Sequence, residues 1–156
     1  MGATDRRLQE LGITLPAAAA PVANYLPFVR TGNLVVVSGQ ICFGPDGKIA
    51  DAHKGKLGRE VALEAGQAAA RLCAINVLAQ MRAAMGDLEG IVRCVRLGGF
   101  INAEPSFAGL AQVMNGASDL MVAVLGDRGR HARSTIGVAE LPLDAAVEVE
   151  AMFEVR

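Results

Sequence analysis

The spacing of apolar positions changes several times along the chain, and each change marks an element. Tyr25 to Thr31 and Leu34 to Gln40 are β-prone runs on either side of Gly32-Asn33, a two-residue glycine turn, so a hairpin is expected there. From Arg59 to Met85, apolar or small residues recur by threes and fours at Val61, Ala65, Ala68, Leu72, Ile75 and Ala79. That period predicts a helix of roughly 40 Å at ~1.5 Å per residue, ended by Gly86-Asp87. Ile91 to Asn102 reads as a strand with Val95, Leu97 and Ile101 on one face, where Gly98-Gly99 marks a bulge or a close backbone approach. Pro105-Ser106 is expected to cap a second helix carrying Phe107, Leu110, Met114, Ala117, Met121 and Val124 on one stripe.

The last stretches, His131 to Pro142 and Ala146 to Ala151, read as two strands. Their β-branched and apolar positions are Ile136 and Val138 in the first, and Val147, Val149 and Ala151 in the second. If the two pair across Pro142, the register that aligns these apolar sets puts Arg133, Thr135 and Glu148 together on the opposite face. Gly137, Ala139 and Met152 share that face, a mixture that predicts partial cover by another subunit rather than open water. Geometry alone favours a surface ion pair between Arg133 and Glu148, Glu150 or Glu154 over a catalytic pair.

Ahead of these elements, Thr4 to Leu11 reads as a short amphipathic helix and Pro16 to Pro21 as an alanine-rich arm, while Gly44 to Gly47 is a loop. Residues 1–20 are thus expected to form a helix and arm, and 21–156 the core, of one domain spanning 1–156. The order strand-strand, helix, strand, helix, strand-strand fits an α+β sandwich with two long helices packed on one sheet face.

Composition narrows the function. A net charge of -1 and a pI near 6.1 leave no basic field for a polyanion, so nucleic acid is not an expected partner. The chain is 52% hydrophobic but only 4% aromatic, a make-up suited to close helix packing and to a buried subunit interface. Met1 to Thr14 has no apolar signal core and no apolar run reaches membrane-spanning length, so a cytoplasmic location and no membrane partner are expected. Cys42, Cys73 and Cys94 lack zinc spacing and read as reduced structural thiols; no metal is expected. His131, a lone histidine in a loop beside arginines, reads as a surface residue.

Arg133-Ser134, Val138-Ala139, Leu141-Pro142 and Val147-Glu148-Val149-Glu150-Ala151 together resemble the signature of the reactive-intermediate deaminase family, RidA or YjgF. The likeness extends upstream through Tyr25, Gly32-Asn33, Ser38-Gly39-Gln40-Ile41 and Asn115, and so covers the chain from about Tyr25 onward. The resemblance implies a chorismate-mutase-like fold with a mixed sheet, a homotrimer with sites between subunits, and no cofactor. It also implies hydrolysis of 2-aminoacrylate- or 2-iminobutanoate-like enamines and imines to a 2-keto acid and ammonia.

In that reading Arg133 anchors the substrate carboxylate through a planar fork and Glu148 positions or deprotonates water. Main-chain groups near Thr135 and Gly39 contact the reacting molecule, Tyr25 closes the pocket and Asn115 adds a polar contact. Taken without the family, Tyr25 is an ordinary hairpin tyrosine and Asn115 a helix-surface amide. The chain departs from the pattern at Thr135, where cysteine is common, at Cys42, where proline often stands, and before Tyr25, where Gly-Pro is usual. It also looks like a longer branch, with extra sequence around 115–121 and 126–131. The competing readings are a non-catalytic small-carboxylate-binding or regulatory trimer on the same fold, and a ribonuclease, which the absence of a basic stripe disfavours.

Overall fold

Gly32, at φ 58°, turns the chain back on itself and joins strand β1 (Phe28–Thr31) to β2 (Leu34–Ile41) in the expected antiparallel hairpin. The computed structural model describes residues 1–156. Helix α1 (Ala3–Glu10) precedes the hairpin; after it come α2 (Leu63–Met85), β3 (Ile91–Asn102), α3 (Leu110–Leu125), β4 (Ala132–Val138) and β5 (Val147–Val155). The five strands form one sheet in the order β1-β2-β5-β3-β4, with β3 and β4 parallel and the other neighbours antiparallel. This is the mixed α+β arrangement expected, with α2 and α3 on one face.

That face carries the core. Ala70, Cys73, Val77, Leu78 and Met81 of α2 and Val113, Met114, Ala117 and Met121 of α3 pack with Leu97, Ile101, Val147, Val149 and Phe153 of the sheet. The helices approach closely at Gly116, where a Cβ would overlap the carbonyl of Gln67. Helix α1 is tied down by the Arg82–Asp5 ion pair and by the Thr4 amide donating to Glu89 Oε1 at 2.7 Å. No helix is long and apolar enough to cross a membrane.

Both long helices begin later than their apolar period predicts. Arg59 to Val61 belong to a turn in which the amides of Arg59 and Val61 both donate to the Lys56 carbonyl, so α2 starts at Leu63. Pro105-Ser106 lie in another turn, closed by the Phe107 amide on Glu104, and α3 starts at Leu110 behind Gly109 with no side-chain cap. In β3 the register shifts fall at Ile91–Arg93 and Cys94–Arg96 rather than at the glycine pair, so Cys94 is buried and Val95 only half-buried. Gly98 and Gly99 are instead places of close approach, a Cβ there meeting Glu150 Cγ at 2.8 Å and Met114 Sδ at 2.5 Å.

The expected pairing of the last two strands does not occur. β4 runs parallel beside β3, and β5 inserts between β2 and β3. The reason is the connection: β3, α3 and β4 form a strand-helix-strand crossover, which delivers the second strand parallel to the first. Faces follow from this. Leu97, Gly99 and Ile101 of the helix side align with Arg133, Thr135 and Gly137. Ile136 consequently points to the helix-free face, 49% exposed, rather than into the core. Glu148, opposite Phe100 and Ile41, also lies on the helix-free face, so Arg133 and Thr135 do not share a face with it.

Candidate functional site

The acidic half of the site grows from an irregularity in β2. Val37 pairs with Ala151 but Gln40 with Val149, so β2 carries one residue more than β5 across Ser38-Gly39. This bulge brings Gly39 against Glu148 so closely that a Cβ at residue 39 would overlap Glu148 Oε1. Ser38 Oγ donates to the Leu26 carbonyl at 2.6 Å and so holds the segment between Tyr25 and β1 against the bulge. Glu148 is half-buried; burial first, and the negative charge of Glu150 second, hold its carboxyl above the usual carboxylate range. A carboxyl so tuned, in a cleft, suits acid–base work.

Tyr25, Gly39 and Glu148 line one cavity of about 350 Å³ with Gln40, Gln80 and a mostly apolar wall. Ala19, Ala20, Pro21 and Val22 form part of that wall, so the N-terminal arm belongs to the site. It is held there by Gln80 Nε2, which donates to the Ala19 carbonyl at 2.9 Å. On the opposite rim stand Pro142 and Leu143. Leu143 and Asp144 both sit at φ 57°, a conformation that L-residues adopt only when their surroundings impose it. Here Asn102, 1% exposed, donates from Nδ2 to the Ala145 carbonyl at 3.3 Å and to Asp144 Oδ1 at 3.4 Å. Lys56 Nζ in turn donates to Asn102 Oδ1 at 2.6 Å and to the Ala139 carbonyl.

The basic half lies elsewhere. Arg133 reaches from the edge strand β4 to α3, where Nη1 donates to Asn115 Oδ1 at 2.9 Å and to Ser118 Oγ at 3.1 Å. Asn115 thus meets Arg133, and not Tyr25 or Gly39. Thr135, two residues along the same face, has its hydroxyl buried without a hydrogen-bond partner. No three His, Cys, Asp or Glu side chains converge on a metal-binding geometry.

Within one chain the six candidate residues therefore fall into two groups. Tyr25, Gly39 and Glu148 share the cavity, while Arg133, Thr135 and Asn115 stand beyond β3 and on the other face of the sheet, β4 lying two strand spacings, about 10 Å, to the side of the β5 strand that carries Glu148. Sequence reasoning missed the arm, Gln80, Leu143, Ser118 and His131. Gln80 carries a signal in retrospect, being an amide beside an apolar helical stripe; Ser118 and His131 carry none until the fold brings them together.

The chain has relatives. The family model described as "YjgF/chorismate mutase-like, putative endoribonuclease" matches residues 5–155. Protein TCP17 of Trypanosoma cruzi is 48% identical over 156 residues, covering 99% of this chain and 96% of that protein. Atu1372 of Agrobacterium tumefaciens, of known structure and unknown function, is 48% identical and superposes with a TM-score of 0.91 over 98% of this chain and 92% of that one. E. coli TdcF, solved with bound serine, is 28% identical, with a TM-score of 0.63 over 92% of this chain and 95% of that one. With the five-stranded sheet and its two covering helices already in place, these matches make the chain a member of the YjgF family, to which RidA belongs, with the chorismate-mutase-like fold.

Proposed function

We propose that this protein hydrolyses small enamines and imines of the 2-aminoacrylate and 2-iminobutanoate type, at sites built between the subunits of a cytoplasmic homotrimer. The observation that carries the reading is the division of the candidate residues: an acid–base carboxyl in one cavity and a carboxylate-binding arginine on a different edge, each incomplete alone. A second copy resolves this by presenting its Arg133 edge to the Glu148 cavity. Exposed Val29, Val36 and Ile136 on the helix-free face give such an assembly apolar surface to bury. The serine bound to E. coli TdcF supports a small ligand with an α-carboxylate.

In this scheme the guanidinium of Arg133 grips the carboxylate of the 2-imino acid; an enamine first takes up a proton at C3 to become the iminium form of that acid. Glu148 removes a proton from water, whose oxygen bonds to the iminium carbon while the C=N π pair moves onto nitrogen. The resulting carbinolamine takes a proton on nitrogen and loses ammonia as its C–N bond breaks, and the hydroxyl proton departs to leave a 2-keto acid. No step requires a metal or an organic cofactor.

The test is release of 2-keto acid from freshly generated 2-aminoacrylate or 2-iminobutanoate, compared with spontaneous hydrolysis. Arg133→Ala and Glu148→Ala subunits, each inactive, should regain activity when unfolded and refolded together, because mixed trimers contain interfaces with both groups intact. Tight keto-acid binding without any acceleration over buffer would establish the binding-module reading instead. Loss of activity with no recovery on mixing would place both groups in one subunit's site.

A further inference from the structure

We infer that Ser118 and His131 are positioning residues that fix the Arg133 guanidinium so that its Nε–Nη2 edge faces the ligand. This rests on Arg133 being the carboxylate anchor and names how that anchor is oriented. A guanidinium has five N–H donors in one plane. The two on Nη1 are taken by Asn115 Oδ1 at 2.9 Å and Ser118 Oγ at 3.1 Å, and one on Nη2 makes a long contact of 3.5 Å to the Ala111 carbonyl. What remains is the Nε hydrogen and one on Nη2, which run parallel and match the two oxygens of a carboxylate.

Ser118 can hold this orientation only if its own proton is disposed of. Its Oγ accepts from Arg133, so the O–H must point elsewhere, and His131 Nε2 lies 2.8 Å away. His131 Nδ1 is 2.6 Å from the Gly129 carbonyl. A carbonyl only accepts, so Nδ1 carries the proton, and in the neutral ring Nε2 offers a lone pair to Ser118. Every link therefore has one direction: Arg133 donates to Ser118, Ser118 to His131, and His131 to Gly129. The far end is fixed, because Gly129 is packed so tightly that a Cβ there would overlap the Met121 carbonyl of α3. Asn115 and Ser118 stand one helical turn apart on α3, and His131 immediately precedes β4. The chain of hydrogen bonds thus ties the guanidinium to three rigid elements, and a bidentate fork tolerates only about 10–20° of misalignment.

Titration with 2-oxobutanoate tests this against Arg133→Ala, Ser118→Ala, His131→Ala and His131→Gln. Ser118→Ala and His131→Ala should each weaken binding by about tenfold, the cost of one of two charge-assisted hydrogen bonds. KM for the imine should rise by a similar factor, with a much smaller fall in kcat. His131→Gln, whose amide oxygen can accept from Ser118, should recover most of the loss. Adding Ser118→Ala to Arg133→Ala should weaken binding no further. If Ser118→Ala and His131→Ala bind like the parent while Arg133→Ala does not, the positioning role is overturned and the anchor stands. Parental binding by Arg133→Ala would remove the anchor itself.

Discussion

Replacing Gly39 by alanine isolates one contact of the candidate site. The backbone at Gly39 does not have positive φ, so alanine is conformationally acceptable there. The nearest atoms to a new Cβ all belong to Glu148: Oε1, Cδ at 2.9 Å and Cγ at 3.2 Å. Oε1 is the free end of a flexible side chain and yields before any backbone does, so the cost lies at the low end of the overpacking range, about 1 kcal/mol. In a chain of this length that lowers Tm by roughly 2–4 °C. The larger effect falls on chemistry, since the carboxyl leaves the position facing the cavity; turnover should drop by about 100-fold, a typical general-base contribution. In a Glu148→Ala background the conflict vanishes, and alanine's smaller unfolded-state entropy should make the same substitution stabilising by about 0.4–1 kcal/mol. Thermal unfolding of the four proteins of this cycle, followed by circular dichroism, measures both signs. The reasoning is refuted if Gly39→Ala destabilises equally with and without the Glu148 side chain.

Other expectations can be checked in the same assays. Glu148→Gln should keep keto-acid affinity and lose turnover by about 100-fold. It should also raise Tm at neutral pH: the folded state holds the Glu148 proton more tightly than the unfolded chain, so the group's stabilising contribution is full at low pH and is lost as pH rises through the raised folded value. The Tm gain over the parent should vanish below about pH 4, where the carboxyl is protonated in both states. Arg133→Lys should fold normally but bind 2-oxobutanoate about tenfold more weakly by calorimetry, because the charge survives and the fork does not. Thr135→Val should leave Tm unchanged or higher, since it removes a buried hydroxyl without a partner; a fall in Tm would mean that the hydroxyl is satisfied. Gly116→Ala should cost about 2 kcal/mol, or roughly 4–8 °C in Tm, because the obstacle is the Gln67 carbonyl and α2 and α3 must move apart.

Local chemistry made the elements legible, while their partners depended on the whole chain. The glycine turn at 32–33 and the β-branched runs of β2 and β5 appear where their residue types predict, and α2 and α3 follow their three-and-four periodicity apart from their later starts. Two alternating strands flanking Pro142 look like a hairpin, yet β4 pairs with β3. The strand-helix-strand order through α3, also visible in the sequence, is what decides the pairing. The face of β4 is hidden for a related reason: alternation shows which residues share a side, and only the neighbour shows which side is the core. The family resemblance named Arg133 and Glu148, but their separation across β3 could not be seen without the strand order. The Ser38-Gly39 bulge leaves no mark in the sequence, since an extra residue is extra only relative to its partner.

The clamp beneath Leu143 separates two properties that usually change together. The left-handed backbone at the cavity rim is imposed by Asn102 and, through it, by Lys56, neither of which lines the cavity. Leu143 itself contributes little to that restraint, because the residue is 66% exposed. The residue at 143 is therefore a position where a lineage can exchange one rim side chain for another and alter what enters the cavity, with the loop's shape inherited intact from the buried amide below.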